Sequence, residues 1–144
     1  MDDDRLSLVL ANEPAEVRRV IERVETFCRD RGAGRRTVHR FSLALDEVLT
    51  NVVAYAFADG LRHEIEVAIE FRDGRIAATV SDDGAPFDPL SQPPPDVHAA
   101  VEDRKIGGLG IHLLRSLTHA VEYRRESGRN RLAFTVLLDA PERR

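Results

Sequence analysis

Leu6, Leu8 and Leu10 share one face of a short apolar stretch near the start of the chain, which predicts a strand over Leu6–Leu10. Asn12 and Pro14 then mark a helix start, because Asn caps well and Pro suits the first turn. Val17, Val20, Ile21, Val24, Phe27 and Cys28 follow at helical spacing, and Gly32 and Gly34 stop the helix. A second helix is predicted from about Arg35 to Phe57. Its stripe is Phe41, Leu45, Val48, Leu49, Val52 and Ala56, and Asp59-Gly60 ends it. Ile65, Val67, Ile69 and Phe71 alternate with Glu64, Glu66, Ala68 and Glu70, so this strand turns one face to water. Asp73-Gly74 is a two-residue hairpin signal, and Ile76, Ala78 and Val80 form the inner face of the returning strand.

From Asp82 to Gly110 the periodicity breaks, and five of the seven prolines fall there. So long an irregular stretch inside a compact domain is a functional loop or disorder, with a short helix starting near Asp96. Helical spacing resumes at Ile111, Leu114 and Leu117. Two strands, about Val121–Arg125 and Arg131–Leu138, flank a Ser127-Gly128-Arg129-Asn130 turn. The order is strand, helix, helix, strand, strand, loop, helix, strand, strand, which is not the alternation of a doubly wound sheet. The expected architecture is α+β: a two-layer sandwich with a mixed, mostly antiparallel sheet and helices on one face. One domain is expected over residues 1–144.

Composition narrows the function. A length of 144 residues suits one core, and 42% hydrophobic with 32% charged residues excludes wholesale disorder. A net charge of −4 makes direct nucleic-acid binding or attachment to an anionic membrane unexpected. No apolar run reaches the roughly 20 residues of a membrane helix, and Asp2-Asp3-Asp4 has the wrong charge for a leader peptide. Cys28 is the single cysteine, so neither an internal disulfide nor a cysteine-pair metal site can form. A cytoplasmic location is expected. The five histidines show no metal-ligand spacing.

Three motifs can carry chemistry. Glu47 and Asn51 are one turn apart on the same face of the second helix, opposite the Leu45–Val52 stripe. Alone, such a pair fits a solvated helix face. It also fits an amide oxygen ligand for Mg²⁺ beside a carboxylate able to accept a proton. Asp82-Asp83-Gly84-Ala85-Pro86-Phe87-Asp88 follows a strand. It can be a plain turn, or Asp82 can accept the amine of adenine while Gly84 lets the backbone approach a ring. Arg104-Lys105-Ile106-Gly107-Gly108-Leu109-Gly110 precedes the third helix, where free N–H groups can meet phosphate. It lacks the lysine and hydroxyl residue of a Walker loop, and it follows a long loop rather than a strand.

In this order the three motifs resemble those of the GHKL ATPase superfamily, which includes histidine kinases, gyrase-type ATPases and a chaperone family. Glu47-Val-Leu-Thr-Asn51 looks like its N box, and Asp82 to Asp88 like its first glycine box. Gly107-Gly108-Leu109-Gly110 looks like its second glycine box, and residues 85–106 stand where its ATP lid would be. Pro86 occupies the place of a second glycine in the commoner pattern. The chain is most similar to the anti-sigma-factor serine/threonine kinase branch, which implies the Bergerat ATP-binding fold. It also implies ATP and Mg²⁺, with Glu47 as catalytic base and Asn51 as Mg²⁺ ligand. ATP contacts are implied for Asn51, Asp82, Gly84, Arg104, Lys105, Gly107, Gly108, Leu109 and Gly110. The implied partners are an anti-anti-sigma (STAS-domain) substrate, a sigma factor held in another state, and a second copy of the chain as a homodimer.

Two other functions are compatible with the motifs. One is an ATP-dependent sequestering or switch protein without significant kinase activity. The other is the ATP domain of a sensor histidine kinase. That kinase needs a phosphoacceptor histidine before the N box, and His39 is the only histidine there. His39 reads more simply as an ordinary helix residue.

Overall fold

The strands form where side chains alternate and the helices where apolar residues recur every three or four positions. The computed structural model describes residues 4–91 and 108–139. Its elements are β1 (Arg5–Ala11), α1 (Pro14–Asp30), α2 (Arg35–Tyr55), β2 (Glu64–Arg72) and β3 (Arg75–Asp82), followed by a 3₁₀ turn at Pro89–Ser91. After these come α3 (Gly108–Leu117), β4 (Ala120–Glu126) and β5 (Arg129–Leu137). The short helix expected near Asp96 lies outside the described residues.

The five strands make one sheet in the order β1-β2-β3-β5-β4. Every pairing is antiparallel among the described residues, in keeping with the mostly antiparallel sheet expected, and none of them is parallel. Its two tight hairpins have the same cause. Asp73-Gly74 has φ of 53° and 77°, and Ser127-Gly128 has φ of 52° and 76°, the paired left-handed residues that suit the twist of a two-residue turn. The second turn is therefore shorter than expected. Arg129 and Asn130 join β5 instead of the turn.

One face of the sheet carries Ile65, Val67, Ile69, Ile76, Ala78, Val80, Leu132 and Phe134 into the core, while Glu64 and Glu66 face water. The helices cover the apolar face. α2 lies against α1, α3, β3 and β5, which buries much more of it than a single stripe. Phe41 and Leu45 of α2 are fully buried, and Cys28 of α1 behaves as a small hydrophobe whose thiol burial pushes up to about 11. Asn12 does not cap α1. Glu13 takes the cap position, and Asn12 instead accepts from His63 N at 2.9 Å and donates to Leu61 O at 3.2 Å. α2 ends at Tyr55, slightly earlier than expected. Among the described residues no helix is long and apolar enough to cross a membrane.

Candidate functional site

The antiparallel register of β3 and β5 sets Asp82 directly opposite Asn130. Both are buried, at 2% and 4% exposure. Asp82 Oδ1 accepts hydrogen bonds from Gly84 N at 2.8 Å and from Asn130 Nδ2 at 2.9 Å. Asn130 Nδ2 also donates to Ala85 O at 2.8 Å. Its Oδ1 accepts from Arg125 Nη1 at 3.2 Å, from Phe87 N at 3.3 Å and from the Tyr123 hydroxyl. Arg125 Nη1 donates in addition to Gly84 O at 2.7 Å. The β4–β5 hairpin thus grips the backbone that leaves β3.

These groups open onto a pocket between the sheet and α2. Val48 and Val52 of α2, Val80 of β3 and Leu132 of β5 give it apolar walls, and Asn51, Asp82 and Asn130 are its buried polar groups. Phe87, Pro89 and Tyr123 complete the lining. Apolar walls with a few fixed polar groups suit a flat, partly apolar ligand.

Asn51 is only 6% exposed, and its Nδ2 makes no hydrogen bond. Of the two readings of the Glu47 and Asn51 pair, the solvated face does not hold at Asn51, while Glu47 is half-buried. Asn51 lies beside Val48 and Val52 in the pocket lining, while the water-facing side of α2 runs through Asp46, Thr50 and Ala54. A buried donor without a partner costs about 1–3 kcal/mol. Such a cost is kept where a ligand supplies the partner, so the free amide donor fits an acceptor such as a phosphate oxygen. Among the described residues no group of three or more His, Cys, Asp or Glu could hold a metal.

Glu47 does not line the pocket. It sits one helical turn before Asn51, about 6 Å along the axis, half-buried and without a hydrogen bond or ion pair to the described residues. Burial, and secondarily the charge of Asp46, hold its carboxyl above the usual carboxylate range.

Gly84 has a packing reason to be glycine. A Cβ there would stand 2.4 Å from Ala56 O and 2.8 Å from Ala56 Cβ. The end of α2 fills the space that the sequence assigned to a ligand ring, and Ala85 N donates to the same Ala56 O at 2.9 Å. Asp83 points elsewhere. It lies 3.3 Å from His63 Nδ1, while His63 Nε2 meets Asp59 at 2.7 Å. The imidazole stacks on Phe57 at 4.4 Å, and the hydrogen bond to Asp59 first, then the charges of Asp59 and Asp83, raise its pKa.

Gly108, Leu109 and Gly110 form the first turn of α3 rather than a loop before it. The first N–H groups of a helix have no partner within it, so the anion-binding logic is kept at this place. Arg104, Lys105, Gly107 and the lid beyond Ser91 lie outside the described residues. The root of that lid is described: the 3₁₀ turn is tied to α3 by Arg115 Nη2, which donates to Leu90 O at 2.9 Å. Asn130, Arg125 and Tyr123 were missed by sequence reasoning. The signal that finds Asn130 is the pairing of β3 with β5, two strands that are not consecutive in the chain, and Arg125 and Tyr123 follow from the pairing of β4 with β5.

Comparison with known proteins supplies the lineage. Residues 10–136 match the family model of the histidine kinase-like ATPase domain. The chain belongs to that family. Its relatives place it in the anti-sigma-factor kinase branch of the GHKL superfamily. It is 34% identical over 98 residues to the serine/threonine-protein kinase BtrW of Bordetella bronchiseptica, covering 67% of this chain and 69% of that one. It is 27% identical over 129 residues to the serine-protein kinase RsbW of Listeria monocytogenes, covering 87% of this chain and 82% of the relative. The crystal structure of the RsbU and RsbW domains of Rv1364c from Mycobacterium tuberculosis shares the fold, with a TM-score of 0.72 at 19% identity. That match covers 96% of this chain and 33% of the other, so the chain corresponds to about a third of it. As an α+β histidine kinase-like ATPase domain, the chain has ATP as the ligand its family implies.

Proposed function

We propose that this domain is a Mg-ATP-dependent serine/threonine protein kinase whose substrate is an anti-anti-sigma STAS-domain protein, and that it forms a single ATP-binding unit. What supports this most is one observation: Asn51 and Asp82, from separate motifs, are both buried and line the same apolar pocket, with Glu47 one turn away. In this reading Asp82 accepts the adenine amine between the apolar walls. Asn51 would hold Mg²⁺ through its amide oxygen, and the ion when bound would offset the charge of the phosphates. The free donors at the start of α3 meet phosphate oxygen. Glu47 takes the proton of the substrate hydroxyl as its oxygen bonds to the γ-phosphorus and the bond to ADP breaks. The raised pKa of Glu47 suits a base better than an ordinary carboxylate does. In its other state the domain would hold a sigma factor, and a homodimer is part of the same proposal.

The test is transfer of label from ATP, with Mg²⁺, to STAS-domain proteins of the same cell. Phosphoserine or phosphothreonine on one of them is expected. ATP binding without transfer to any would leave a sequestering protein in place of a kinase. Nucleotide choice is checked separately by calorimetry. Asp82→Asn is expected to weaken ATP binding about ten- to hundredfold, as for a lost hydrogen bond to a charged group. GTP, which has no such amine, should bind poorly; equal affinities for ATP and GTP would overturn the assignment of Asp82.

A further inference from the structure

We infer that Asn130 is a positioning residue that sets how strongly the pocket selects the 6-amino group of adenine; this rests on the reading of Asp82 given above. The carboxylate of an aspartate turns easily about its last torsion, so either oxygen can face a ligand unless something fixes the plane. Here Oδ1 is engaged twice, by Gly84 N at 2.8 Å and Asn130 Nδ2 at 2.9 Å. Oδ2 accepts no hydrogen bond from the described residues. The plane is fixed and one oxygen is left for the pocket. The bond from Gly84 is a local one within the turn, of the kind any Asp before a tight turn can make. Asn130 restrains the carboxylate from the neighbouring strand, with the stiffness of the sheet behind it.

The orientation of the Asn130 amide follows from its surroundings. Its Nδ2 faces two acceptors, Asp82 Oδ1 and Ala85 O. Its Oδ1 faces three donors, from Arg125, Phe87 and Tyr123. A flipped amide would set oxygen against the carboxylate and nitrogen against the guanidinium. Both amide protons and the carbonyl are thereby engaged within the protein, so Asn130 has no group free for the nucleotide and acts through Asp82. Arg125 supports the same geometry by holding Gly84 O at 2.7 Å.

The experiment compares ATP with purine riboside 5′-triphosphate, which is ATP without its 6-amino group, by calorimetry on the whole chain. The wild type is expected to prefer ATP by about ten- to hundredfold. Asn130→Ala removes both sides of the amide, and Asn130→Leu keeps a similar volume while removing the donors and the acceptor without adding charge beside Asp82. Both are expected to reduce the preference to about threefold or less, because an unfixed carboxylate discriminates weakly. A general loss of fold weakens both nucleotides by the same factor and leaves their ratio unchanged, so the ratio separates positioning from stability. A wild-type ratio in Asn130→Ala overturns the role of Asn130. Where that variant does not fold by circular dichroism, the ratio in Asn130→Leu decides in the same way. A wild-type protein that binds both nucleotides equally, or neither, overturns the reading of Asp82 instead.

Discussion

Glu47→Gln is expected to slow phosphoryl transfer by about 10²–10⁴-fold, the usual worth of a general base, while ATP binds nearly as before. Glutamine keeps the shape and cannot take a proton. The base acts on the substrate hydroxyl, and Glu47 lies outside the pocket lining, so nucleotide affinity has no reason to fall. Asn51→Ala should behave oppositely, losing the Mg²⁺-dependent part of ATP affinity together with transfer. The pH dependence follows from the position of the Glu47 carboxyl. Burial first and Asp46 second raise its pKa, so the acid limb of the rate profile should lie above the ordinary carboxylate range, and Glu47→Gln should abolish it. Stability should move the other way. A carboxyl whose pKa is raised on folding binds its proton more tightly in the native state. Its stabilising effect is present below the unfolded pKa and is lost as pH rises through the folded one. At neutral pH the ionised Glu47 therefore weakens the fold, and Glu47→Gln should melt higher than wild type, with the difference vanishing in acid. Single-turnover kinetics and melting curves across pH check both halves; unchanged transfer in Glu47→Gln would remove Glu47 from the mechanism.

Phe41→Ala is expected to cost about 3–5 kcal/mol of stability. Phe41 is fully buried on α2, and its ring meets Phe134 of β5 at 5.3 Å. The two rings join the helix that carries Glu47 and Asn51 to the strand that carries Asn130. Domains are stable by only about 5–15 kcal/mol, so this one truncation removes a large share. Urea unfolding should show a lower midpoint with an unchanged slope. Saturating ATP should restore part of the loss by mass action, since only the native state has the pocket. A midpoint shift worth less than about 1 kcal/mol would mean that the cavity closes by repacking.

The parts of this fold that depend on local pattern were legible in the sequence. The alternation of Ile65, Val67 and Ile69 and the Asp73-Gly74 turn define β2 and β3, and the order of elements follows. Asn51 and Asn130 show where local pattern stops. A helical wheel displays Asn51 away from the main stripe, but how many neighbours wrap a helix is a tertiary fact, and α2 has neighbours on several sides. For Asn130, Ser127-Gly128-Arg129-Asn130 contains more polar residues than a two-residue turn needs. Only the dihedral angles show which two make the turn. The three motifs gave the family because their order along the chain is distinctive, whereas the hydrogen bonds that join them depend on strands far apart in sequence.

The strand order also bears on how the molecule assembles. Each hairpin, β2–β3 and β4–β5, closes through its own two-residue turn, and hairpins of this kind form in about 1–10 μs. Joining β3 to β5 is different, because Asp82 and Asn130 are separated by 48 positions. Loop closure must be met before that pairing gives anything back, so it is expected to come late in folding. The pocket sits on this seam. A nucleotide that binds only the joined seam would act after the rate-limiting step, slowing unfolding while leaving refolding at its own pace. Stopped-flow refolding accelerated by ATP would instead place the seam in the folding nucleus. On the expected order, the site that recognises ATP belongs to a long-range seam that closes late and opens early, so the occupancy of one small pocket bears on the lifetime of the whole fold.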